Sequence, residues 1–215
     1  MFSGIIQEVG KVKSIKNSKE SLILEIEADK AIQKSQRGDS ISVNGVCLTI
    51  TQRFQRSFIA NVMIETYEKT NLKYLQLGSL VNLEEALSFS SLLGGHLVYG
   101  HVDNVGQIEN IEKTERHWKL TITTEVEVLK HIIAKASVAI NGVSLTVGEV
   151  DNSNFSLYLI PTTIEDTNMK SLMLGELVNI EVDMLAKYVY HYVNKTEQPN
   201  QAKKISEEYL REHGF

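Results

Sequence analysis

Cys47 is the one cysteine of the 215-residue sequence, and a thiolate is a strong nucleophile. It lies in the stretch NGVCLT, whose counterpart NGVSLT has Ser144 in the same place. A lone cysteine with histidines elsewhere in the chain is a candidate nucleophile, although a small buried residue is the commoner role. The Cys47/Ser144 difference favours two related positions that have diverged in function.

His96 and His101 lie in the glycine-rich stretch GGHLVYGH at residues 94–101. Their spacing places them on opposite faces of an ideal strand, and no third ligand has a suggestive spacing, so no metal site is predicted. Because imidazole titrates near physiological pH, a hydrogen-bonding or acid–base role is the better interpretation. The glycines indicate either a close approach of backbone or sharp turns. Gly94 and Gly95 precede no helical pattern, so a phosphate loop is not indicated.

Thr66 and Thr163 follow apolar runs at residues 59–63 and 157–160. The two hydroxyls suit either a polar ligand at the rim of a barrel or the capping of a turn, and both interpretations stay open. Lys135 begins the segment KASVAINGVSLTV and equally suits a solvated strand end.

Composition limits the functional classes. A formal net charge of −5 argues against a basic face for nucleic acid. A single cysteine rules out an intramolecular disulfide and argues against a cysteine-based metal site. No apolar run approaches the roughly 18 residues of a membrane span, and the first residues do not resemble a signal peptide. We therefore expect a soluble cytoplasmic protein with no nucleic-acid or membrane partner.

An internal repeat organises the chain. Residues 70–84 and 167–181 are identical at ten of fifteen positions, and residues 38–50 and 135–147 at six of thirteen. Both pairs of blocks are offset by 97 residues, a period far longer than that of a solenoid. A weaker match joins residues 1–12 to residues beginning at 97. The sequence therefore predicts a duplicated domain.

The pattern within each copy is mostly that of strands. Asn44-Gly45 and Asn141-Gly142, each between apolar runs, are strong hairpin signals, and short strands at this spacing indicate a sandwich or closed barrel. Short helices are predicted at residues 31–34 and 128–133. Apolar residues at helical spacing predict a longer helix at 184–194, and the tail 201–213 suits a polar helix or a frayed end.

Several blocks together resemble one known family, riboflavin synthase. They are the opening MFSGII, GDSISVNGVCLTI, GGHLVYGHVDNVG, SVAINGVSLTV and TNMKSLMLGELVNIEVD, and the match runs over residues 1–190. The resemblance implies an all-β fold of two tandem, similar six-stranded closed β-barrels with short helices. It implies an N-terminal lumazine-binding barrel (1–96), a C-terminal lumazine-binding barrel (97–183) and a helical segment (184–215) whose first helix assembles a homotrimer.

The resemblance also implies the activity. Two molecules of 6,7-dimethyl-8-ribityllumazine would bind per active site, between the N-terminal barrel of one subunit and the C-terminal barrel of a neighbour. A four-carbon transfer between them would give riboflavin and 5-amino-6-ribitylaminouracil. No cofactor or metal is implied, and association with lumazine synthase is a further expectation.

The resemblance carries over site residues by position. The expected catalytic residues are His101, Cys47, Ser40, Ser144 and Thr146. Gly4, Ile5, Ile6, Cys47, Leu48, Thr49 and Thr66 are expected to line the site of the N-terminal barrel, with Phe2 nearby and His101 approaching from the junction. The second barrel is expected to contribute Lys135, Ser144, Leu145, Thr146, Ile160 and Thr163. The remaining expected binding residues are Asn61, Val62, Met63, Ile64, Glu65, Gly100, Val102, Tyr158, Leu159, Pro161 and Thr162.

Two departures and two alternatives qualify this expectation. The family usually has Thr at Ser3 and a Glu or His at Thr162, so binding at the second barrel is open to difference there. A non-catalytic lumazine- or flavin-binding protein of the same fold is one alternative, although both NGV(C/S)LT blocks are intact. A flavin-dependent reductase is the other, but no Gly-rich strand–helix unit for a nicotinamide is present.

Overall fold

The computed structural model describes residues 1–17, 21–196 and Arg211. Its described residues form twelve strands in two sets of six. The first set is β1 (Glu8–Asn17), β2 (Ser21–Glu27), β3 (Ser40–Val43), β4 (Val46–Arg53), β5 (Ser57–Met63) and β6 (Leu80–Glu85). The second set is β7 (Asn104–Lys113), β8 (Trp118–Thr123), β9 (Ser137–Ile140), β10 (Val143–Val150), β11 (Asn154–Leu159) and β12 (Leu177–Val182).

Each set closes into an antiparallel barrel with the same strand order. The first barrel runs β1-β2-β5-β4-β3-β6, and the second runs β7-β8-β11-β10-β9-β12 in the same cyclic sense. Closure leaves no sheet edge exposed, which removes a route to aggregation. The predicted fold class of two tandem six-stranded barrels is confirmed.

The hairpin signals of the sequence form tight turns. Asn44 and Gly45 have φ of 48° and 78°, and Asn141 and Gly142 have φ of 45° and 79°. Two successive residues with positive φ match the right-handed twist of the flanking strands, which explains the preference for Asn-Gly. The turns fix the register of β3 with β4 and of β9 with β10. Alternate side chains of these strands then point into the barrel or out of it.

Each barrel has its own apolar core. In the first barrel Leu24, Ile26 and Phe58 are fully buried, and in the second Leu120, Ile122 and Phe155 are fully buried. Phe58 and Phe155 occupy equivalent positions of the two copies. The two barrels are therefore packed independently, as a duplicated domain requires.

The short helices differ from those expected. The sequence predicted helices at 31–34 and 128–133. The structure instead has one turn of 3₁₀ helix at Lys30–Ile32 and a short helix, α2, at Val126–Leu129. Helices α1 (Ile64–Lys69) and α3 (Pro161–Asp166) follow β5 and β11 and were not predicted. A helix of six residues is too short to display a 3.6-residue period.

A longer helix, α4, spans Met184–Thr196, over the segment with helical spacing. The expected helix or frayed end at 201–213 lies outside the described residues, except for Arg211. Among the helices that the structure describes, none is long and apolar enough to cross a membrane.

Six buried asparagines join the two barrels through their side-chain amides. Asn168 of the second barrel donates to the Oδ1 of Asn44 and accepts from Asn82 of the first. The repeat-related group crosses the other way: Asn71 of the first barrel donates to Asn141 and accepts from Asn179. Buried amides are costly unless paired, so these two reciprocal groups fix one relative orientation of the barrels.

Candidate active site

Two equivalent segments cross between the barrels. Residues 1–6, the N-terminal segment, and residues 97–102, the junction segment, meet in an antiparallel bridge between Phe2 and Val98. The amide of Cys47 donates to the carbonyl of Gly100 at 2.9 Å, and the amide of Ser144 donates to that of Gly4 at 2.8 Å. The junction segment therefore lies on β4 of the first barrel, and the N-terminal segment lies on β10 of the second.

Glycine is required at both points of contact. Gly4 has φ of 75°, and a Cβ there would stand 2.6 Å from the Cβ of Ser144. Gly100 has φ of 79°, and its Cβ would stand 2.5 Å from that of Cys47. Other residues would be both strained and in collision. Of the two interpretations of the junction glycines, close approach of backbone is confirmed at Gly100.

A buried carboxylate holds each segment. Glu84 of β6 accepts from the amide and hydroxyl of Ser3 at 2.7 and 2.6 Å, and from the amide of Gly4 at 2.9 Å. Glu181 of β12 accepts from the amides of Tyr99, Gly100 and His101 at 2.6, 2.9 and 3.0 Å. Burial raises the pKa of both carboxyls, and the hydrogen bonds oppose that shift.

The crossing corrects one expectation. Gly4, Ile5 and Ile6 were expected to line the site of the N-terminal barrel, but they lie against the second barrel. Ile6 packs on the core of the second barrel, and its counterpart Val102 packs on the core of the first. Each segment packs on the other barrel through contacts between residues far apart in the sequence. A single sequence gives no information on such contacts.

The first candidate site is the outer face of β4 and β5 with the junction segment across it. Its outward side chains include the half-buried Cys47 and the exposed Thr49, Asn61 and Met63, and His101 is exposed on the junction segment. Ser40 is the cross-strand partner of Thr49 on β3. Ile64, Glu65 and Thr66 continue from β5 into α1.

The second candidate site is the equivalent face of β10 and β11 with the N-terminal segment across it. The outward side chains are Ser144, Thr146, Tyr158 and Ile160, with Ile5 half exposed nearby. Pro161, Thr162 and Thr163 continue into α3, whose first position suits a proline. Lys135 is exposed before β9 and has φ of 70°.

Five of the expected binding residues have buried side chains. Leu48 and Val62 point into the first barrel, and Leu145 and Leu159 point into the second, so only their backbone faces a ligand. Phe2 is fully buried with Val98 and Ala139, and Cys47 packs against this cluster. The direct contact of the Phe2 side chain with a ligand, expected from the resemblance, does not fit this position. Its place in the structure is behind Cys47, where it supports the crossing of the two segments.

Thr66 and Thr163 are not caps. The residues at the N-cap positions of α1 and α3 are Met63 and Ile160, and the two threonines lie half-buried inside the first turn. Their carbonyls accept the hydroxyls of Thr70 and Thr167, at 2.7 and 2.6 Å. The structure therefore does not support the capping interpretation, and a polar ligand at the barrel rim stays a prediction.

His96 contacts the second candidate site, although it was not among the expected site residues. Its Nδ1 lies 2.7 Å from the Oγ of Ser144, and its side chain is 9% exposed. Burial lowers the pKa of His96, against an opposing effect of Asp183, so the ring is neutral at neutral pH. Depending on its tautomer, a neutral imidazole in this contact either accepts a hydrogen bond from the serine hydroxyl or donates one to it. Sequence reasoning considered His96 only as a partner of His101, because nothing local links it to Ser144.

The described residues contain no group of three His, Cys, Asp or Glu side chains placed to hold a metal ion. The polar groups at the two candidate sites are hydroxyls, one thiol, the amide of Asn61, the carboxylate of Glu65, two imidazoles and one exposed lysine. Such groups suit hydrogen bonding to a polar ring and modest acid–base assistance.

Comparison with known proteins identifies the family. A family model described as the lumazine binding domain matches residues 3–86 and again 99–183. Riboflavin synthase of Actinobacillus pleuropneumoniae is 39% identical over 215 residues, all of both chains, and that of Bacillus subtilis is 37% identical over the same extent. The chain belongs to the riboflavin synthase family. The enzyme of Mycobacterium tuberculosis is 41% identical over 194 residues, 88% of this chain and 96% of that one.

Solved structures with this family's fold include complexes. LumP bound to riboflavin superposes with a TM-score of 0.79 at 28% identity, over 85% of this chain and 99% of that one. LumP bound to 6,7-dimethyl-8-(1′-D-ribityl)lumazine superposes with a TM-score of 0.77 at 26% identity, over the same shares. The two barrels thus share their fold with proteins crystallised with a flavin and with a lumazine.

Proposed function

We propose that this protein is a riboflavin synthase. It converts two molecules of 6,7-dimethyl-8-ribityllumazine into one riboflavin and one 5-amino-6-ribitylaminouracil. A four-carbon unit leaves one lumazine and joins the other, so the atoms of two substrates are shared between two products and no external oxidant is consumed. Sequence identities of 39% and 37% to two riboflavin synthases, over the full length of the chain, support the assignment.

The observation that carries the proposal is the presence of two equivalent outward sites in one chain that differ in their polar groups. The first has Cys47 and His101, and the second has Ser144 in contact with His96. Identical substrates need two similar binding sites, but donor and acceptor need different proton transfers. The duplication with this divergence meets both needs.

The chemistry needs little from the protein beyond positioning. The C7 methyl of the lumazine is acidic because its anion is delocalised over the ring. Holding two reactants in contact contributes up to about 7–11 kcal/mol in ideal cases. We assign His101 and Cys47 to proton transfer, Ser144 and Thr146 to hydrogen bonds, and Ser40 to the neighbourhood of the reacting atoms. The other expected residues except Phe2, with Lys135 among them, bind the ring and the ribityl chain.

We propose that the active site forms between subunits of a homotrimer. Both candidate sites leave large apolar side chains exposed, including Met63 at 69% and Ile160 at 60%. Helix α4 exposes Leu185, Tyr188 and Val189 on one stripe. Apolar surface of this extent favours burial against another copy, and the two sites of one active site then come from neighbouring chains.

The helix is tested by truncation. Removal of residues 184–215 is expected to give a monomer and to abolish turnover, because each active site loses its second half. Light scattering measures the mass, and the variants Leu185→Ser and Val189→Ser on the same stripe provide a milder form of the change. A truncated protein of unchanged trimeric mass would contradict the role of α4.

A direct assay tests the reaction. The purified protein is incubated with the lumazine, and riboflavin is followed by its absorbance and fluorescence. One riboflavin for every two lumazines consumed is expected. Stable binding of lumazine without product would instead identify a non-catalytic lumazine- or flavin-binding protein.

Two further expectations concern the surroundings. We propose a cytoplasmic location, which suits a single free thiol, and an association with lumazine synthase, which would supply the substrate. Co-sedimentation with purified lumazine synthase tests the association, and two independent boundaries would contradict it.

A further inference from the structure

Glu84 and Glu181 are carboxylates at equivalent positions of the two repeats. Each accepts hydrogen bonds from a segment that lies on the candidate site of the other barrel, not of its own. Both are almost fully buried, at 2% and 4% exposed. Glu84 stands on the first barrel and binds the N-terminal segment, which lies on Ser144 of the second. Glu181 stands on the second barrel and binds the junction segment, which lies on Cys47 of the first.

We propose that Glu84 and Glu181 are positioning residues that act crosswise, each setting the geometry of the candidate site in the opposite barrel. Their role in turnover rests on the proposed function, whereas their role in geometry does not. Glu181 sets the position of Gly100 and His101 over the first site. Glu84 sets the position of Gly4 and Ile5 over the second.

The hydrogen-bond pattern requires a carboxylate. Both oxygens of each side chain accept: the Oε1 of Glu181 accepts from Tyr99, while its Oε2 accepts from Gly100 and His101. A glutamine has one oxygen and would turn its NH₂ group toward amides that also donate. Buried amides left without an acceptor destabilise that position of the segment. The neutral substitution therefore releases the segment without changing the size of the side chain.

The carboxylates anchor the part of each segment that touches the reactive strand. Gly4 both donates to Glu84 through its amide and accepts from Ser144 through its carbonyl. Gly100 stands in the same relation to Glu181 and Cys47. A single glycine therefore connects each carboxylate to the site on the opposite barrel. A change in the position of the carboxylate is expected to displace that glycine from the strand of the site.

Cys47, the one cysteine of the chain, reports on the first site without any substrate. Its backbone contacts Gly100, so the junction segment limits access to the thiol. The rate of reaction of Cys47 with a dithiodipyridine reagent is followed by release of the coloured thione. Glu181→Gln is expected to raise this rate about tenfold through local opening. Glu84→Gln, the matched control in the barrel that carries Cys47, is expected to have a much smaller effect, because its segment reaches Cys47 only through the packing of Phe2.

A second reporter reverses the test. In the double variant Cys47→Ser/Ser144→Cys the one thiol lies in the second site. Glu84→Gln is then expected to raise its reaction rate, and Glu181→Gln is not. Equal increases from both substitutions at either reporter, or a larger increase from the carboxylate of the same barrel, would overturn the proposal.

Aspartate variants keep the test usable if a glutamine variant does not fold. Glu181→Asp retains the charge and shortens the reach, so a smaller, still crossed increase at Cys47 is expected, and no increase would overturn the proposal. Circular dichroism and thermal melting establish that each variant is folded. Since the thiol assay contains no lumazine, a protein that proved unable to make riboflavin would still give the crossed result.

Discussion

The two barrels share one plan and differ at their candidate sites. In the first, Cys47 faces a junction segment that carries His101. In the second, Ser144 faces an N-terminal segment with Ile5 in the equivalent place, and its hydroxyl contacts His96. Duplication preserves the strands, the turns and the anchoring carboxylates, whereas the polar groups at the two sites have diverged. The difference indicates one site with its imidazole on the crossing segment and another with a partly buried serine–histidine pair.

A second difference concerns the backbone. Lys135 has φ of 70°, where its repeat partner Gly38 has φ of 98°. A lysine in the left-handed region carries a cost of about 1 kcal/mol. At this position only the second barrel has the strained backbone at a residue other than glycine, and only there does the position carry a positive charge. The second barrel therefore carries a positively charged side chain where the first has none.

Replacement of the crossing glycines is expected to have the largest effect. In Gly100→Ala or Gly4→Ala the new Cβ collides with Cys47 or Ser144, so the segment must leave its place. We expect a loss of kcat/KM of roughly 1000-fold and a lower free energy of unfolding by about 2 kcal/mol. Steady-state kinetics and denaturant titration measure these changes.

Gly78→Ala is the matched control for the glycines. Gly78 has φ of 85°, but a Cβ there meets no atom closer than 3.5 Å and lies away from both sites. Strain alone is expected to lower stability by about 1 kcal/mol with near-normal turnover. Equal losses of activity in all three variants would contradict the role assigned to the crossing.

His101 and Ile5 occupy equivalent places, and their substitutions are expected to separate chemistry from binding. His101→Ala is expected to lower kcat about 100-fold with little change in KM, because it removes acid–base assistance. Ile5→Ala is expected to raise KM severalfold, because it removes apolar contact. Equal losses of turnover and of substrate binding in His101→Ala would contradict a transition-state role.

Ser144 and His96 are expected to act as one unit. Ser144→Ala and His96→Gln are each expected to lower kcat about tenfold, and the double variant is expected to lose little more than either single one. The corresponding change in the first site, Cys47→Ser, provides the comparison and is expected to be milder. Fully additive losses in the double variant would show that the pair does not work together.

The smallest effect is on stability with pH. Because the folded pKa of His96 lies below its unfolded value near 6.5, stability from the neutral ring is complete above that pH and is lost as pH falls below it. The free energy of unfolding of His96→Gln is expected to decline less than that of the original protein between about pH 8 and about pH 5. His191→Gln, on exposed α4, is the control and should keep the original slope.

Much of the fold follows from the sequence because its causes are local. Asn-Gly turns and alternating strands specify the hairpins, and a repeat visible over fifteen residues specifies the second barrel. Helices α1 and α3 escaped prediction because six residues do not make a pattern. The residues of the two candidate sites came from the resemblance, which assigned most of them to their own barrel but placed Gly4, Ile5 and Ile6 on the wrong one. Ile6 packs on the second barrel, a contact on which local pattern gives no information.

The crossing also explains why the contact of His96 with Ser144 was not predicted. Its contact with Ser144 spans 48 residues and depends on how Gly95 and Ser3 pass each other. Sequence spacing specifies neighbours along strands and helices, whereas this pair is set by the relative placement of two barrels. Asn44 and Asn141 mark the hairpin turns in the sequence, but no local pattern predicts that they and the other four asparagines join the two barrels.

The structure of the protein with a lumazine analogue in both sites tests the central claim most directly. The account predicts one analogue over β4 and β5 with His101 beside its ring, and another over β10 and β11 with Ser144 and Ile5 beside it. An analogue on the first barrel contacted by Gly4 and Ile5 of the same chain, or a single analogue with the second site empty at saturation, would contradict two unlike sites completed by crossed segments.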